Sequence, residues 1–107
     1  MRINFPLLIV VTALVVVLSF SLSAQAQNAA DTYKAKCAMC HGPDGTGSAM
    51  GKKMGAHDFT GPEVQKMSDA DLTNVITNGK NKMPAYAGKL KPEDINGLVA
   101  YIRTLKK

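Results

Sequence analysis

Tryptophan is absent from this 107-residue chain, cysteine occurs twice, and aromatic side chains make up 6% of it. Two cysteines exclude a disulfide-dense framework, and the length allows one domain rather than two. Acidic residues are also few, eight against 13 lysines and arginines, for a net charge of +5. That excess is modest and is not interleaved with aromatics, which argues against a nucleic-acid surface. Alternation of period two is almost missing, so a sheet-based fold has little to build on.

Long apolar runs are missing too, except at the N-terminus. After a basic start at Met1-Arg2, the stretch from Leu7 to Leu18 holds Thr12 as its one polar residue. It trails through Ser19, Ser21 and Ser23 to Ala24-Gln25-Ala26. A basic start, an apolar stretch and an A-x-A exit make a secretory signal, with cleavage expected after Ala26. The alternative is an uncleaved anchor: Phe5 to Leu22 is borderline in length for a bilayer, and no basic stop-transfer flank follows it. The expected organisation is a leader over 1–26 and one domain over 27–107.

The 46% hydrophobic content of the whole chain therefore overstates what the domain can bury. Beyond Ala26 the aliphatics are Val64, Leu72, Val75, Ile76, Leu90, Ile95, Leu98, Val99, Ile102 and Leu105. Each contributes about 1.5–3 kcal/mol when buried, whereas ordering each backbone unit costs about 1–2 kcal/mol. A domain this small with so thin an aliphatic supply needs a staple.

The two cysteines stand in Cys37-Ala38-Met39-Cys40-His41. On a helix, Cys37, Cys40 and His41 share one side, being three and four residues apart. Two thiols so placed can add across the two vinyl groups of one haem while the imidazole reaches its iron, and C-x-x-C-H reads as c-type haem attachment. Three other readings compete. A thioredoxin-like redox pair requires strands alternating with helices. A zinc site lacks ligands, since His57 is the only other histidine and no further cysteine exists. A disulfide across two residues is a strained staple.

A second axial ligand can be sought among the methionines. Met39 lies inside the attachment loop, Met67 reads as core filler, and Met50 and Met54 suit packing against a haem edge. Met83 is followed by Pro84, which holds it in extended backbone and fixes the direction of the chain leaving it. Met83 is thus the candidate axial ligand opposite His41. His57, in a turn-like stretch with no helix to aim it, reads as solvent-facing.

Together, Cys37 to His41, Met83-Pro84 and the terminal Leu98-Val99-Ala100-Tyr101-Ile102-Arg103 resemble a class I cytochrome c, the small bacterial monohaem type, over Tyr33 to Leu105. The resemblance implies an all-α fold whose helices wrap around one covalently bound haem c. Cys37 and Cys40 would form the thioethers, and His41 and Met83 would bind the iron. It further implies carriage of single electrons between larger redox proteins, no catalytic residue, and contact between Tyr33 and Tyr101 where the first and last helices cross. Two alternatives stay open: a membrane-tethered donor module of an oxidase or dehydrogenase, and a small haem peroxidase, which requires a labile Met83. Export places the protein in the periplasm or otherwise outside the cytoplasm.

Local signals give the helices without the family. The segment from Ala29 to Cys40 lacks Gly and Pro, with Asn28 as a cap. Ser68 with Asp71 resembles a capping box, Leu72, Val75 and Ile76 form a stripe, and Gly79 closes that helix. Pro92 opens the last helix, with Glu93 and Asp94 in its first turn, and Ile95, Leu98, Val99, Ile102 and Leu105 fall on one face. Gly42 to Gly47 is a turn-rich loop, without the pattern or strand of a phosphate-binding one.

Three departures from the family stand out. No proline lies between Asp44 and Gly61 to offer its carbonyl to the imidazole N–H, so a carbonyl near Met50 to Lys53 is expected to serve. No tryptophan is available for a haem propionate. Asn81 stands where a glycine is common, and asparagine tolerates left-handed backbone. The domain's 12 basic and eight acidic residues give it +4 before the propionates are counted. Lys80, Lys82, Lys89, Lys91, Lys52 and Lys53 bracket the ligand segments and suit partners with acidic docking patches.

Overall fold

The structure, a computed structural model, describes residues 5–107, with the side chains of 5–8, 11–13 and 16–23 outside that description. Of the expected leader, residues 1–4 lie outside the described residues, and the backbone of 5–26 is helical. Six helices follow one another: α1 (Phe5–Lys36), α2 (Ala38–His41), α3 (Ala49–Lys53), α4 (Pro62–Gln65), α5 (Asp69–Asn78) and α6 (Pro92–Thr104). Among the described residues extended pairing is limited to two isolated bridges, Lys80 with Met83 and Ala87 with Leu90. No helix of the described residues is long and apolar enough to cross a membrane.

Asn28 does not cap α1, contrary to the sequence expectation. The helix runs straight through it, because Ala24, Gln25, Ala26 and Gln27 are all helix-compatible and an asparagine costs only about 0.7 kcal/mol in a helix interior. Nor does α1 reach Cys40. Cys37 departs from helical geometry at φ −117°, and α2 restarts at Ala38. The helical path nonetheless continues, since Cys37 N–H donates to the Tyr33 carbonyl (2.8 Å) and His41 N–H to the Cys37 carbonyl (2.9 Å).

Ala29 and Tyr33, four residues apart, bury the inner face of α1 against α6. The crossing is close: a Cβ on Gly97 would sit 3.4 Å from the Ala29 methyl. Tyr33 and Tyr101 meet there with ring centroids 4.9 Å apart, as the resemblance implied. The Tyr33 hydroxyl donates to the Gly42 carbonyl at 2.7 Å, tying the crossing to the segment that follows His41.

Both longer C-terminal helices begin as their sequences dictate. Ser68 Oγ accepts from Asp71 N–H (3.0 Å) at the start of α5, and Gly79, at φ +73°, ends it. Pro92 opens α6, and the Asp94 carboxylate accepts from Lys91 N–H at 3.2 Å. The core is Tyr33 with Val64, Leu72, Ile76, Ile95, Leu98, Val99 and Ile102; Leu90, Leu105 and Met67 pack against it from partly buried positions. Seven of the ten aliphatics are thus buried together. Val75 of the α5 stripe is only half-buried, because it faces elsewhere.

Two short helices, α3 and α4, have no counterpart in the sequence reading. Each is a single turn, stabilised by a local device. Ser48 Oγ accepts from Gly51 N–H (3.0 Å) for α3, and Pro62 stands at the first position of α4. Side-chain bonds then lock the α4–α5 junction to α6. Gln65 Nε2 donates to the Phe59 and Ile102 carbonyls, and Arg103 donates to the Gln65 and Met67 carbonyls and to Asp69.

Candidate functional site

Val75 faces a cleft of about 840 Å³, part of it open to solvent, and Cys37, Cys40, His41 and Met83 all line it. One wall is the end of α1 with α2, bringing Lys36, Cys37, Cys40 and His41; Met54 to His57 add to it after α3. The other contributors are Val75 and the segment from Lys80 to Tyr86, including Met83 and Pro84. Cys37, Cys40, His41 and Met83 are therefore gathered into one cavity, although 42 residues separate His41 from Met83 in sequence.

Backbone bonds hold Met83 in place. Lys80 N–H donates to the Met83 carbonyl (3.2 Å) and Met83 N–H to the Lys80 carbonyl (2.9 Å), closing a four-residue turn. Asn81 occupies the left-handed region at φ +53°, as expected of it, and is the one non-glycine residue with positive φ among those described. Gly79 is required beside it, since a Cβ there would lie 2.6 Å from the Met83 carbonyl oxygen. The segment is laid back along α5 by Tyr86 N–H to the Ile76 carbonyl and Ala87 N–H to the Thr77 carbonyl, both 3.0 Å. Across the cleft, the Tyr86 hydroxyl donates to the Lys36 carbonyl at 3.1 Å.

His41 is held from the protein side. Its ring stacks on Phe59 with centroids 4.2 Å apart and planes 25° apart. Its Nδ1 is buried without a hydrogen-bond partner. Burial lowers the imidazole pKa below its ordinary value, the His57 main chain partly opposes that, and the His57 side chain adds to it. A neutral ring is the form that binds a metal. The expectation of a carbonyl from Met50 to Lys53 is corrected: none of them reaches this Nδ1, and those of Met50, Gly51 and Lys52 accept instead from the N–H groups of Met54, Gly55 and Ala56.

Both cysteines are free and half-buried, and burial pushes the Cys37 thiol up to about 11. The His57 side chain is 59% exposed, as expected, and its Nδ1 lies 3.2 Å from Glu63 Oε1, while the residue also borders the cleft. Of the other methionines, Met54 lines the cleft, Met50 and Met39 are exposed outside it, and Met67 packs on the core. The sequence reading missed Phe59, Tyr86 and Lys36. The only prior signal was the scarcity of aromatics, since in a chain with so few, two of them in the loops around a binding motif are conspicuous.

The donor set fits a haem. The cleft offers two free thiols on one side, an imidazole whose lowered pKa favours the neutral form, a thioether on a pinned backbone, and the ring of Tyr86 at its edge. Its charged lining is Lys36, Lys80 and Lys82 with no carboxylate, which suits a group that itself carries two.

Comparison with known proteins agrees with this geometry. The family profile described as cytochrome c oxidase, cbb3-type, subunit III matches residues 24–102. Cytochrome c6 of Anabaena variabilis is 36% identical over 84 residues, covering 74% of this chain and 90% of that protein. The cbb3-type cytochrome c oxidase subunit CcoP of Rubrivivax gelatinosus is 38% identical over 96 residues, covering 85% of this chain but 31% of that subunit. Among solved structures, the KustC0563 c-type cytochrome superposes with a TM-score of 0.70 at 35% identity, over 73% of this chain and 96% of that one.

Proposed function

This chain belongs to the small class I c-type cytochromes, carriers of one electron on one covalently bound haem c, and from that premise we propose how its own residues serve that role. Cys37 Sγ and Cys40 Sγ would hold the haem through two thioethers, and His41 Nε2 and Met83 Sδ would hold its iron. The observation that carries this assignment is the burial of His41 Nδ1 against Phe59 in the same cleft that Met83 and both cysteines line. With Nδ1 turned into the protein, Nε2 is the nitrogen left to face the iron.

When bound, the haem supplies a one-electron iron couple, and sulfur ligation in a buried setting favours its reduced form. The protein's part is to hold both ligands still. The Lys80–Met83 turn, its anchorage on α5 and the Phe59–His41 stack fix them from both sides, so the ligand geometry changes little between oxidation states. His41 and Met83 would then both be engaged in holding the iron. A peroxidase needs Met83 to leave, and the doubly bonded turn opposes that, so the chain acts as a carrier and not as an enzyme.

The protein exchanges electrons with redox partners, and the lysines bordering the cleft select partners with acidic docking patches. Cleavage after Ala26 releases residues 27–107 into the periplasm or an equivalent exported compartment. The similarity to an oxidase subunit supports a second reading, a tethered donor that keeps its leader. Met1 retained in the membrane fraction would establish tethering, and a start near Gln27 in the soluble fraction would exclude it.

The ligand assignment is tested on the purified haem protein. Its ferric form should show the weak red absorption band of a sulfur–iron bond, and Met83→Ala should abolish that band while covalent haem is retained. A band that survives the substitution overturns Met83 as the ligand.

A further inference from the structure

His41 lacks the usual means of fixing a ligand ring. A histidine that binds a metal ordinarily donates its second ring N–H to a carbonyl or carboxylate, and that bond sets the plane of the ring. In this chain Nδ1 is buried with no such partner among the described residues. What the ring does have is a stacked face: Phe59 lies on it with centroids 4.2 Å apart and planes 25° apart. Rotating the imidazole about its Cβ–Cγ bond would break that near-parallel contact, so the orientation of His41 follows that of Phe59.

Phe59 belongs to no helix, and its position is fixed from outside its own segment. Its N–H donates to the Gly45 carbonyl (2.8 Å). Its carbonyl accepts from Gln65 Nε2 (2.6 Å), which also donates to the Ile102 carbonyl of α6 (2.9 Å). Leu105, just past α6, closes on the same place. A Cβ added to Gly45 would lie 2.9 Å from Leu105 Cδ1 and 3.3 Å from Phe59 Cβ, so the glycine leaves the space in which the other two meet. Two residues further on, Lys107 N–H donates to the Thr60 carbonyl (3.0 Å), next to Phe59 in the chain. Thr60 is a firm anchor: it is buried, and its N–H and hydroxyl donate to Asp58 Oδ1 at 2.8 and 2.6 Å.

Resting on the reading of the cleft as a haem site, we propose that Phe59 is the positioning residue for the His41 imidazole and that Leu105–Lys107 is the strap that sets Phe59. Phe59, Leu105 and Lys107 do not line the cleft, so their influence on it passes through the His41 ring. The strap acts by packing at Gly45 and by one backbone hydrogen bond at Thr60, and the charge of Lys107 has no part in it. A disturbance of the strap therefore turns the imidazole plane without exchanging any ligand.

The test uses the intact haem protein in its ferric form and reads the proton NMR signals of the haem methyl groups, whose paramagnetic shifts follow the plane of the axial imidazole. Phe59→Leu keeps apolar bulk but removes the stacking face, and should shift those signals. Phe59→Tyr keeps the face and should retain the parent pattern. Lys107→Pro removes the N–H that the Thr60 carbonyl accepts and should also shift the signals. Lys107→Gln keeps that N–H, removes only the charge, and should not. Lys107 is exposed, so its two variants decide the matter even where Phe59→Leu fails to accumulate. Ser68→Ala, which loses the α5 cap outside the cleft lining, controls for lowered stability alone and should leave the signals in place. Parent signals in Phe59→Leu or in Lys107→Pro overturn the proposal, as do shifts in Lys107→Gln or Ser68→Ala equal to those in Lys107→Pro. Failure of the underlying haem reading is seen separately, as a parent protein without the sulfur–iron band.

Discussion

Tyr33 is 2% exposed and joins three parts of the molecule through one ring. It packs on Tyr101 of α6, lies 6.4 Å from Phe59 in an edge-on arrangement, and donates to the Gly42 carbonyl. Phe59 in turn stacks on His41, so the tyrosine supports the imidazole at one remove. Burial is the leading cause that raises the phenol well above its ordinary 10, followed by the charge on Cys37, which a thioether there would remove, and then by Tyr101 and Asp44. The folded state therefore keeps a proton that the unfolded chain loses above that pH. The stabilisation is fully present below pH 10 and is lost as pH rises beyond it. Thermal midpoints of the haem protein should accordingly fall above pH 10. Tyr33→Phe should cost about 1–3 kcal/mol at pH 7, since the buried Gly42 carbonyl loses its donor, and should flatten part of the alkaline decline. Tyr86, which is also raised by burial, accounts for some of the slope that remains. Circular dichroism melts of both proteins from pH 7 to 11 check this, and an undiminished alkaline slope in the variant contradicts it.

At the scale of elements, what holds a helix together decides whether its sequence announces it. α5 and α6 carry apolar stripes, capping residues and helix-ending or helix-opening Gly79 and Pro92, and they fold where those signals lie. α3 and α4 are single turns of five and four residues, too short for a stripe to repeat. α3 exists because Ser48 serves two purposes, capping Gly51 and donating to the carbonyls of α2. The first of these is local and readable, whereas the second joins residues nine apart and leaves no pattern in the chain. Ser48→Ala should therefore lower stability by about 1–2 kcal/mol, more than a typical cap deletion in a peptide. Ser48→Asn, which keeps the cap acceptor, should recover part of the loss. Urea unfolding followed by haem absorbance measures both, and a neutral Ser48→Ala would show that α3 stands without its cap. The same contrast runs through the site. Cys37, Cys40, His41 and Met83 were legible because attachment chemistry and a following proline fix their spacing and backbone. Phe59 and Tyr86 were not, because they act across gaps of 18 and 50 residues that folding alone closes.

For the whole molecule, the distribution of charge matters more than its total. Among the described residues Arg103 pairs with Asp69 and His57 lies beside Glu63, and no lysine takes part in either contact. Lys36, Lys80 and Lys82 border the cleft with no carboxylate among its lining residues, so the positive potential is concentrated there. Residues 27–107 carry +4, and haem propionates would remove about one or two of those charges. The field at the cleft stays positive because no acid lines it: Asp69, Asp71, Glu93 and Asp94 sit in the first turns of α5 and α6, and Glu63 approaches only behind His57. There they serve the helix ends, which leaves the mouth of the cleft to the lysines. Such a field accelerates encounter with an anion and is screened over about 10 Å at 0.1 M salt. The rate of electron transfer to ferricyanide should thus fall as ionic strength rises. Replacing both Lys80 and Lys82 by glutamine removes about half of the domain's net positive charge, and should reduce the slope of log rate against ionic strength by roughly half. Replacing Lys106 and Lys107, which lie outside the cleft lining, removes the same charge and should reduce the slope less. Stopped-flow rates from 10 to 500 mM salt compare the two pairs. Equal slopes for the two double variants would mean that the protein steers by its total charge, and a steeper loss in the cleft pair shows that it steers by where that charge is placed.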